Sequence, residues 1–312
     1  MSYREDAVSP YGISGKMLVK GELMKFVYKA IVLIFVLVPL LATALAIVLL
    51  WQRAVGWLDL VLLAVMYTLV KLGETIGMHR MLTHRSFRPH PVVKFVLLVL
   101  GSMAFQGPAL RWAATHIKHH AQADHDGDPH SPLQGLFHAH VGWLFGDGLL
   151  QADPRVYCRH LFKDRIVVFV HYTALLWMAL ALGIPFLIGG WTGLLWGGLV
   201  RIFLTHHTMW SVNSICHTFG KREFETPDQS RNEWIVGLLC FGEGWHNNHH
   251  AFPRSAFHGL HWWQFDLSGH IIWLLERCGL VQDVYRIPPA LRARQSLERS
   301  GNDGVKPSSF RS

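Results

Sequence analysis

The sequence predicts an all-α integral membrane protein with four transmembrane helices, arranged as two hairpins beneath a cytosolic helical cap. Hydrophobic residues make up 51% of the 312 residues and charged residues only 16%, below the ~25% typical of soluble domains. Several stretches are nearly free of charge over lengths that can cross a bilayer, and most of the 21 histidines lie outside them. This balance excludes a wholly disordered chain, because disorder requires low hydrophobicity.

The first hairpin is predicted from spans at residues 28–51 and 58–78. The first span contains 22 consecutive uncharged residues, about 33 Å as a helix, which is enough to cross the hydrocarbon core. A cleavable signal peptide is the alternative, but the polar region before the run is too long and carries acidic residues. We therefore expect a retained anchor. The second helix carries Lys71 and Glu74 in its far half, so that half should project beyond the lipid.

The second hairpin is predicted from spans at residues 166–183 and 193–213. Residues 166–200 carry no charge over 35 positions, too many for one crossing, and glycines and a proline interrupt the middle. The fourth helix is expected to continue towards His217. Residues 91–106 form a further apolar stretch that is short for a span and is expected to be a buried or interfacial helix.

The distribution of lysine and arginine predicts the orientation. The turns within both hairpins are almost free of them, whereas the N-terminal segment and the middle loop are rich in them, so the positive-inside rule places both termini and the middle loop in the cytoplasm. The predicted units are a cytosolic segment 1–25, a main domain 26–281 and a cytosolic tail 282–312. The cap comprises residues 79–165 and 214–281.

Charge and cysteine content narrow the classes of partner. The formal net charge of +8 suits a membrane face or an acidic substrate, and the chain has no basic low-complexity tail of the kind that would favour nucleic acid. The four cysteines form no C-x-x-C pair and are expected to be free thiols in a reducing compartment.

Three histidine clusters, HRMLTH, HIKHH and HNNHH, fall on the predicted cytosolic side. In the second and third, the i, i+3, i+4 spacing places three imidazoles on one helix face. In the first, five residues turn an ideal helix by about 500° and leave the rings roughly 140° apart, so we expect the helix to end there and His84 to return from the following loop. Eight imidazoles exceed one coordination sphere and therefore predict two metal ions. Imidazole binds Fe, Zn, Cu and Ni, so the ligand type does not select among these metals. The candidate ligands are His79, His84, His116, His119, His120, His246, His249 and His250.

The clusters belong to longer motifs: GMHRMLTHRSF, then WAATHIKHH with DGDPHSP and HVGW, then FGEGWHNNHHAFP. In order and spacing over about 69–281, these resemble the membrane fatty acid desaturases, in particular the acyl-CoA Δ9 (stearoyl-CoA-like) branch of bacteria and animals. The resemblance implies a histidine-ligated diiron enzyme, with both irons ferrous at rest. It would use O2 and two external electrons to place a cis double bond, at Δ9, in a saturated long-chain acyl thioester.

The resemblance also implies a ninth ligand in the pattern N-x-x-x-H on the fourth helix. Here His217 would bind metal and Asn213 would hold a metal-bound water. The histidines nearest these motifs are expected to be structural or to support the ligands rather than bind metal. They are His138, His140, His206, His207, His258 and His261.

A saturated chain has no polar group near its middle, so a tunnel of fixed depth must select the reacting carbon atoms. By resemblance, Gln106, Trp112 and Trp210 line the tunnel bend beside the metals. Met209 stands where the animal enzymes usually have threonine, which leaves the position of the double bond open.

The basic residues that hold coenzyme A in the animal enzymes are replaced here, for example by Ile117 within the second cluster. Lys118, Arg155, Arg159 and Lys163 are the predicted substitutes for binding a carrier. Coenzyme A, acyl carrier protein and a membrane lipid therefore all stay open as the acyl carrier.

The sequence shows no haem-binding HPGG segment, so we expect electrons from a separate protein: a ferredoxin, a flavin reductase or a cytochrome b5-like protein. Two alternatives to a desaturase were considered. A hydroxylase on the same scaffold begins with the same hydrogen abstraction. A histidine-rich metal transporter would place its ligands near mid-membrane, whereas these clusters lie beyond the spans.

Overall fold

The computed structural model describes residues 15–52, 55–146 and 152–293. Within these ranges the protein is mostly helical, as predicted, and its one ladder has two short strands. The predicted turn residue Arg53, the start of the N-terminal segment and the end of the C-terminal tail lie outside the described residues. The helices are α1 (Gly15–Trp51), α2 (Trp57–Leu72), α3 (Pro91–Ser102), α4 (Ala109–Gln122), α5 (Leu136–His140), α6 (Pro154–Tyr157), α7 (Arg165–Tyr172), α8 (Ala174–Gly193), α9 (Arg201–Ser214), α10 (Trp234–Leu239), α11 (His246–Ala251) and α12 (Leu267–Arg277).

Among the described residues, three helical segments are long and apolar enough to cross a bilayer: Leu23–Leu50, Trp57–Thr83 and Ala174–Ser214. The third segment is not straight. Gly190 has φ 61° and ψ −146°, a conformation that favours glycine and that no helix contains. A Cβ on Gly193 would lie 2.3 Å from the carbonyl oxygen of Pro185, so the chain after Gly190 runs back along the helix before it. This segment is therefore a hairpin.

In the structure, the predicted third span at residues 166–183 falls on two helices. The helix breaks at Thr173, and α7 before the break is a separate short helix. Its Val167 and Val170 are buried in the core that α3 and α4 also form. The charge-free run 166–200 thus combines two kinds of apolar helix. The first is buried in the protein core, and the second is long and apolar enough to cross a bilayer.

The helix α2 continues into an 11-residue π-helix, Gly73–Thr83, in which hydrogen bonds close wider i→i+5 turns. α3 packs across this π-helix at a close approach of two glycines. A Cβ on Gly73 would lie 2.3 Å from the backbone nitrogen of Gly101. As expected for a 12-residue helix, α3 is too short to span the bilayer and instead supports the π-helix.

Strands β1 (Arg88–Pro89) and β2 (Val281–Gln282) pair antiparallel. Beyond β2, the backbone nitrogen of Tyr285 donates to the oxygen of Ser86 at 2.8 Å. The start of the predicted tail, just after residue 282, is therefore joined by a hydrogen bond to the segment that follows the first histidine cluster. As predicted, the four cysteines are free.

Candidate metal centre

All nine predicted histidine ligands gather in two groups at the end of the π-helix. In each group, one ligand nitrogen per ring lies within 4.8 Å of all the others. We call these the five-histidine group and the four-histidine group. The five-histidine group is His79, His84, His116, His120 and His249; the four-histidine group is His119, His217, His246 and His250.

The five-histidine group converges through its Nε2 atoms, which form a closed ring. Successive Nε2 separations are 3.1, 3.0, 3.0, 2.9 and 3.1 Å around His79, His84, His116, His120 and His249. Two imidazole nitrogens that bind one ion at right angles, each about 2.1 Å away, are separated by about 3.0 Å. The ring therefore has the spacing of a coordination sphere.

The π-helix explains how the first cluster joins this ring. It ends at Thr83, within the cluster as predicted, but His84 is its C-cap rather than a residue that returns from the following loop. The backbone nitrogen of His84 donates to the oxygen of His79 at 3.1 Å, which is an i→i+5 bond. Such a turn sets residues five apart nearly above one another. The Nε2 atoms of these two histidines are consequently 3.1 Å apart.

Each of the other two clusters divides its rings between the groups. On α4, His116 and His120 face the five-histidine group and His119 faces the four-histidine group. On α11 the division is reversed, with only His249 in the five-histidine group. The rings of His120 and His250 stack with centroids 4.4 Å apart, so the two groups are adjacent.

Four carboxylates that the sequence analysis did not identify hold the outer nitrogens of these rings. Nδ1 of His119 donates to Asp128 at 3.0 Å, that of His217 to Asp124 at 2.8 Å, that of His250 to Asp228 at 2.7 Å and that of His79 to Glu243 at 2.5 Å. A carboxylate on the second nitrogen fixes the tautomer and the orientation of a metal-binding histidine. Two of the four lie in motifs noted in the sequence, Asp128 in DGDPHSP and Glu243 in FGEGWHNNHHAFP, whereas Asp124 and Asp228 lie outside them.

Burial favours the neutral form, which is the form that binds metal, in three rings of the five-histidine group. Burial first, and then the neighbouring imidazoles, hold the pKa of His116, His120 and His249 well below the usual range. Burial alone would raise the pKa of Glu243, but His79, His258 and Arg80 bring it well below its usual value. The rings of these three histidines are thus neutral, and the Glu243 carboxylate beside them is ionised.

The residues fit metal ions in two further respects. Nε2 of His119 and Nε2 of His250 are buried and have no hydrogen-bond partner among the described residues, although both rings are fixed by carboxylates at Nδ1. A buried polar atom without a partner costs about 1–3 kcal/mol, which binding to an ion would remove. Imidazole-rich donor sets suit Fe, Zn, Cu and Ni.

We expect two metal ions per chain, because the nitrogens converge at two places rather than one. The measurement is the metal-to-protein ratio by inductively coupled plasma mass spectrometry after expression in iron-replete medium. Zinc can occupy the same imidazoles, so total metal is the quantity to count. One ion per chain in a fully active preparation would contradict the assignment.

Asp128→Asn is expected to weaken metal binding by about 10- to 100-fold, because the amide keeps the shape of Asp128 but loses the charge that orients His119. The measurement is metal retained during titration with a chelator. Asp126→Asn on the same loop is the matched control, since Asp126 is exposed and should leave retention unchanged. Equal retention in both variants would show that Asp128 does not support the centre.

A buried ion network anchors the centre to the cap. The guanidinium of Arg80 is fully buried and donates to Glu243 at 3.1 Å and, through two nitrogens, to Asp266 at 2.9 and 3.1 Å. A third contact goes to the carbonyl oxygen of Ala256 at 2.9 Å. Since Glu243 also holds His79, the network connects the π-helix, the third cluster and the N-terminus of α12.

A cavity of about 550 Å³ adjoins the centre. Its lining includes all four residues predicted to contact substrate: Gln106, Trp112, Met209 and Trp210. His79, His116 and His246 line the same cavity, as does Asn213. Trp112 stacks on His116 with ring centroids 5.2 Å apart. The cavity thus extends directly to candidate ligands of both groups.

Two buried side chains of α9 fix a turn of the backbone beside the cavity. Arg201 donates to the oxygen of Met103 at 2.8 Å, and Nε2 of His206 donates to the oxygen of Ala104 at 2.9 Å. The next residue, Phe105, has φ 61°, a left-handed conformation that is strained for a side chain other than glycine. These contacts hold the turn that presents Gln106 to the cavity.

The predicted carrier-binding residues are dispersed. Lys118 is buried at 5% exposure, whereas Arg155, Arg159 and Lys163 are exposed, and none of the four lines the cavity. The basic side chain that does line it is Arg111, which the sequence analysis passed over because it precedes the second cluster.

The other nearby histidines either lie outside both groups or contact a candidate ligand from outside. His207 contacts His140 at 3.0 Å and belongs to neither group. His258 is buried, lies 3.4 Å from Glu243 and has its ring 4.5 Å from that of His249. Its position is that of a supporting residue.

Comparisons with known proteins agree with this arrangement. The family model for fatty acid desaturases matches residues 54–273. A hex-5-enoyl-[acyl-carrier protein] acetylenase of Moorena producens is 40% identical over 279 residues, covering 83% of this chain and 86% of that protein. An sn-1 stearoyl-lipid 9-desaturase of Anabaena variabilis is 41% identical over 214 residues, with 68% and 78% covered. An acyl-CoA C20 Delta5-desaturase of Anemone leveillei is 39% identical over 225 residues, with 72% of each chain covered.

Proposed function

The chain belongs to the fatty acid desaturase family, and we propose that it introduces a cis double bond, at Δ9, into a saturated long-chain acyl group with two histidine-bound iron ions and O2. As a member of this family it is an oxidoreductase that acts on fatty acyl substrates. The observation that carries the finer proposal is the apolar cavity that ends on candidate ligands of both histidine groups.

The five-histidine group would hold one iron ion and the four-histidine group the other, with Asn213 holding a bound water. When bound, the irons supply O2 activation and the power to abstract hydrogen from an unactivated methylene, which no side chain provides. The four carboxylates orient the rings and balance the positive charge of the ions. The neutral rings need not lose protons when the ions bind.

The cavity wall performs the remaining tasks. Trp112 and Trp210 exclude water from the reacting part of the chain, and the fixed turn at Gln106 gives the wall its bend. Since an alkyl chain offers no hydrogen-bonding group, the depth of this bend would determine which carbon atoms lie beside the centre.

The proposal includes four bilayer crossings, one each by α1 and α2 and two by the hairpin around Gly190. The apolar segments support membrane association, and the charge asymmetry supports an orientation with the cap and both termini in the cytoplasm. The resemblance to the bacterial branch of the family makes a bacterial inner membrane the proposed location. Two electrons per turnover would come from a separate ferredoxin, flavin reductase or cytochrome b5-like donor.

The test is the fatty acid composition of a host that expresses the protein, compared with a host that expresses His249→Ala. Mass spectrometry distinguishes the outcomes: loss of two hydrogen atoms indicates a desaturase, and gain of one oxygen atom a hydroxylase. Ozonolysis locates the double bond. An unchanged lipid profile, with metal present and a reductant supplied, would contradict the proposal.

Trp210→Ala is expected to broaden or shift the position of the double bond without removing metal, because it deletes cavity wall rather than a ligand. Trp196→Ala is the matched control: Trp196 is similarly buried, at 6% against 4%, but does not line the cavity. The measurement is the distribution of product isomers together with metal content. A single unchanged isomer at the normal rate would show that Trp210 does not set the position.

A further inference from the structure

The cavity has a second side, which leads away from the centre towards the spans. Tyr28, Ile31 and Phe35 line it from α1, and Leu175 and Met178 line it from α8. The α1 residues are spaced three and four apart, so they share one helix face. The cavity therefore lies between two segments that are apolar enough to cross the bilayer.

Among the described residues, this side is open rather than sealed. Leu175 is 80% exposed and Tyr172 just before it 73%, although both line the cavity. α1 packs mainly against Leu194–Val200, α9 and the turn Gly142–Phe145, and it has few contacts with α8, so within the described part of the chain no extensive contact between α1 and α8 closes the gap. We call this gap between α1 and α8 the lateral slot.

The slot lies at one end of the two spans. Ile31 and Phe35 occur early in the apolar segment Leu23–Leu50, and Leu175 occurs in the first turn of Ala174–Ser214. These are the ends nearest the histidine groups, since the same cavity reaches His116. In a bilayer the slot would face the acyl chains of one leaflet, just inside its headgroup layer.

Basic and polar groups lie where that headgroup layer would be. Arg111 lines the cavity and directly follows Leu110, whose backbone nitrogen donates to Nδ1 of His171 at 3.2 Å. His171 immediately precedes the exposed Tyr172 at the slot. A guanidinium suits a phosphate or ester oxygen, because its donors match oxygen pairs.

We propose that the acyl chain enters the cavity sideways from the bilayer through the lateral slot, so that the substrate is an acyl chain esterified in a membrane glycerolipid, with its polar headgroup beside Arg111. A water-borne thioester would need no opening between two spans. This inference rests on the proposed function for what happens to the acyl chain inside the cavity, but the route by which the acyl chain enters does not depend on that function. It settles on the lipid among the three carriers that the sequence leaves open.

The experiment uses the metal-loaded protein in nanodiscs of phosphatidylglycerol that contain a small fraction with a diazirine in the middle of the sn-1 acyl chain. After illumination, peptide mass spectrometry should find the label on the cavity wall, at Trp112 and Met178. Leu175→Trp should reduce this labelling several-fold by narrowing the slot. Leu187→Trp is the matched control on the same helix, since Leu187 is 83% exposed and does not line the cavity.

A second arm supplies the same diazirine chain as an acyl-coenzyme A from the aqueous side. If this probe labels the wall and Leu175→Trp does not change the labelling by either probe, the chain arrives from water and the proposal is wrong. Photolabelling needs no turnover. A protein that takes up the lipid chain but forms no double bond would therefore contradict the proposed function and leave the slot standing.

Discussion

His217→Ala is expected to abolish turnover and to reduce the metal content from about two ions to about one per chain, while the protein still inserts and folds. The ring lies at the centre of the four-histidine group: its Nε2 is 3.0 Å from that of His246, and its Nδ1 is held by Asp124. With only four rings in the group, loss of one removes a quarter of its nitrogen donors. The measurements are metal per chain, product formation and monodispersity in detergent.

The control for this variant is His207→Ala, ten residues earlier on α9 and outside both groups. It should keep its metal, because it contacts His140 rather than another candidate ligand. Asn213→Ala is expected to reduce activity with a smaller loss of metal, as it would act through water. If His207→Ala lost metal while His217→Ala kept both metal and turnover, the ninth ligand would be assigned wrongly.

Arg80→Met should cause the largest loss of stability of any substitution considered for this protein. It would leave the carboxylates of Glu243 and Asp266, at 2% and 5% exposure, without the cation that they share. Breaking a buried ion pair on one side costs about 3–5 kcal/mol, because the remaining charge is uncompensated. The expected fall in melting temperature is on the order of 10 °C, measured by fluorescence-detected thermal unfolding in detergent.

Arg88→Met provides the comparison, since the pair of Arg88 with Asp283 is 68% and 72% exposed. Exposed pairs contribute about 0–1 kcal/mol, so this variant should melt close to the unsubstituted protein. The double variant Arg80→Met with Asp266→Asn should be less unstable than the two single changes added together, because the two residues interact directly. Full additivity would show that the network does not couple them.

The candidate metal ligands could be identified from sequence because their spacing is local. His119 and His120 follow His116 within one helical turn, and the N-x-x-x-H pattern indicated His217 by resemblance. Their carboxylate partners could not be predicted in this way. Asp228 lies in an irregular segment 22 residues before His250, and only the folded chain brings the two together.

The helices were predicted correctly where a stretch is apolar for a single reason. The prediction missed the break at Thr173, where one charge-free run combines a helix buried in protein with a helix long enough to cross a bilayer. The run through Val167 and Val170 is as free of charge as the residues of α8, yet these two side chains face α3 and α4 in the cap. Periodicity alone does not distinguish a helix buried in protein from one exposed to lipid. For the same reason, the predicted span 166–183 includes a short packed helix, and the segment long enough to cross a bilayer begins at Ala174.

The π-helix Gly73–Thr83 also explains the spacing of the two histidines in the first cluster. The clusters on α4 and α11 each supply one of the groups with two histidines four residues apart, a spacing that matches the i→i+4 hydrogen bonds of an α-helix. His79 and His84 are five residues apart, which matches the i→i+5 hydrogen bonds of a π-helix. A single-residue deletion between His79 and His84 would therefore not simply shorten the cluster. It would favour a change from i→i+5 to i→i+4 hydrogen bonds along the whole segment, and it would rotate every side chain after the deletion, including that of Arg85. The number of residues between paired ligands thus records the type of helix on which they stand, and the difference between HxxxxH and HxxHH is one of hydrogen-bond register.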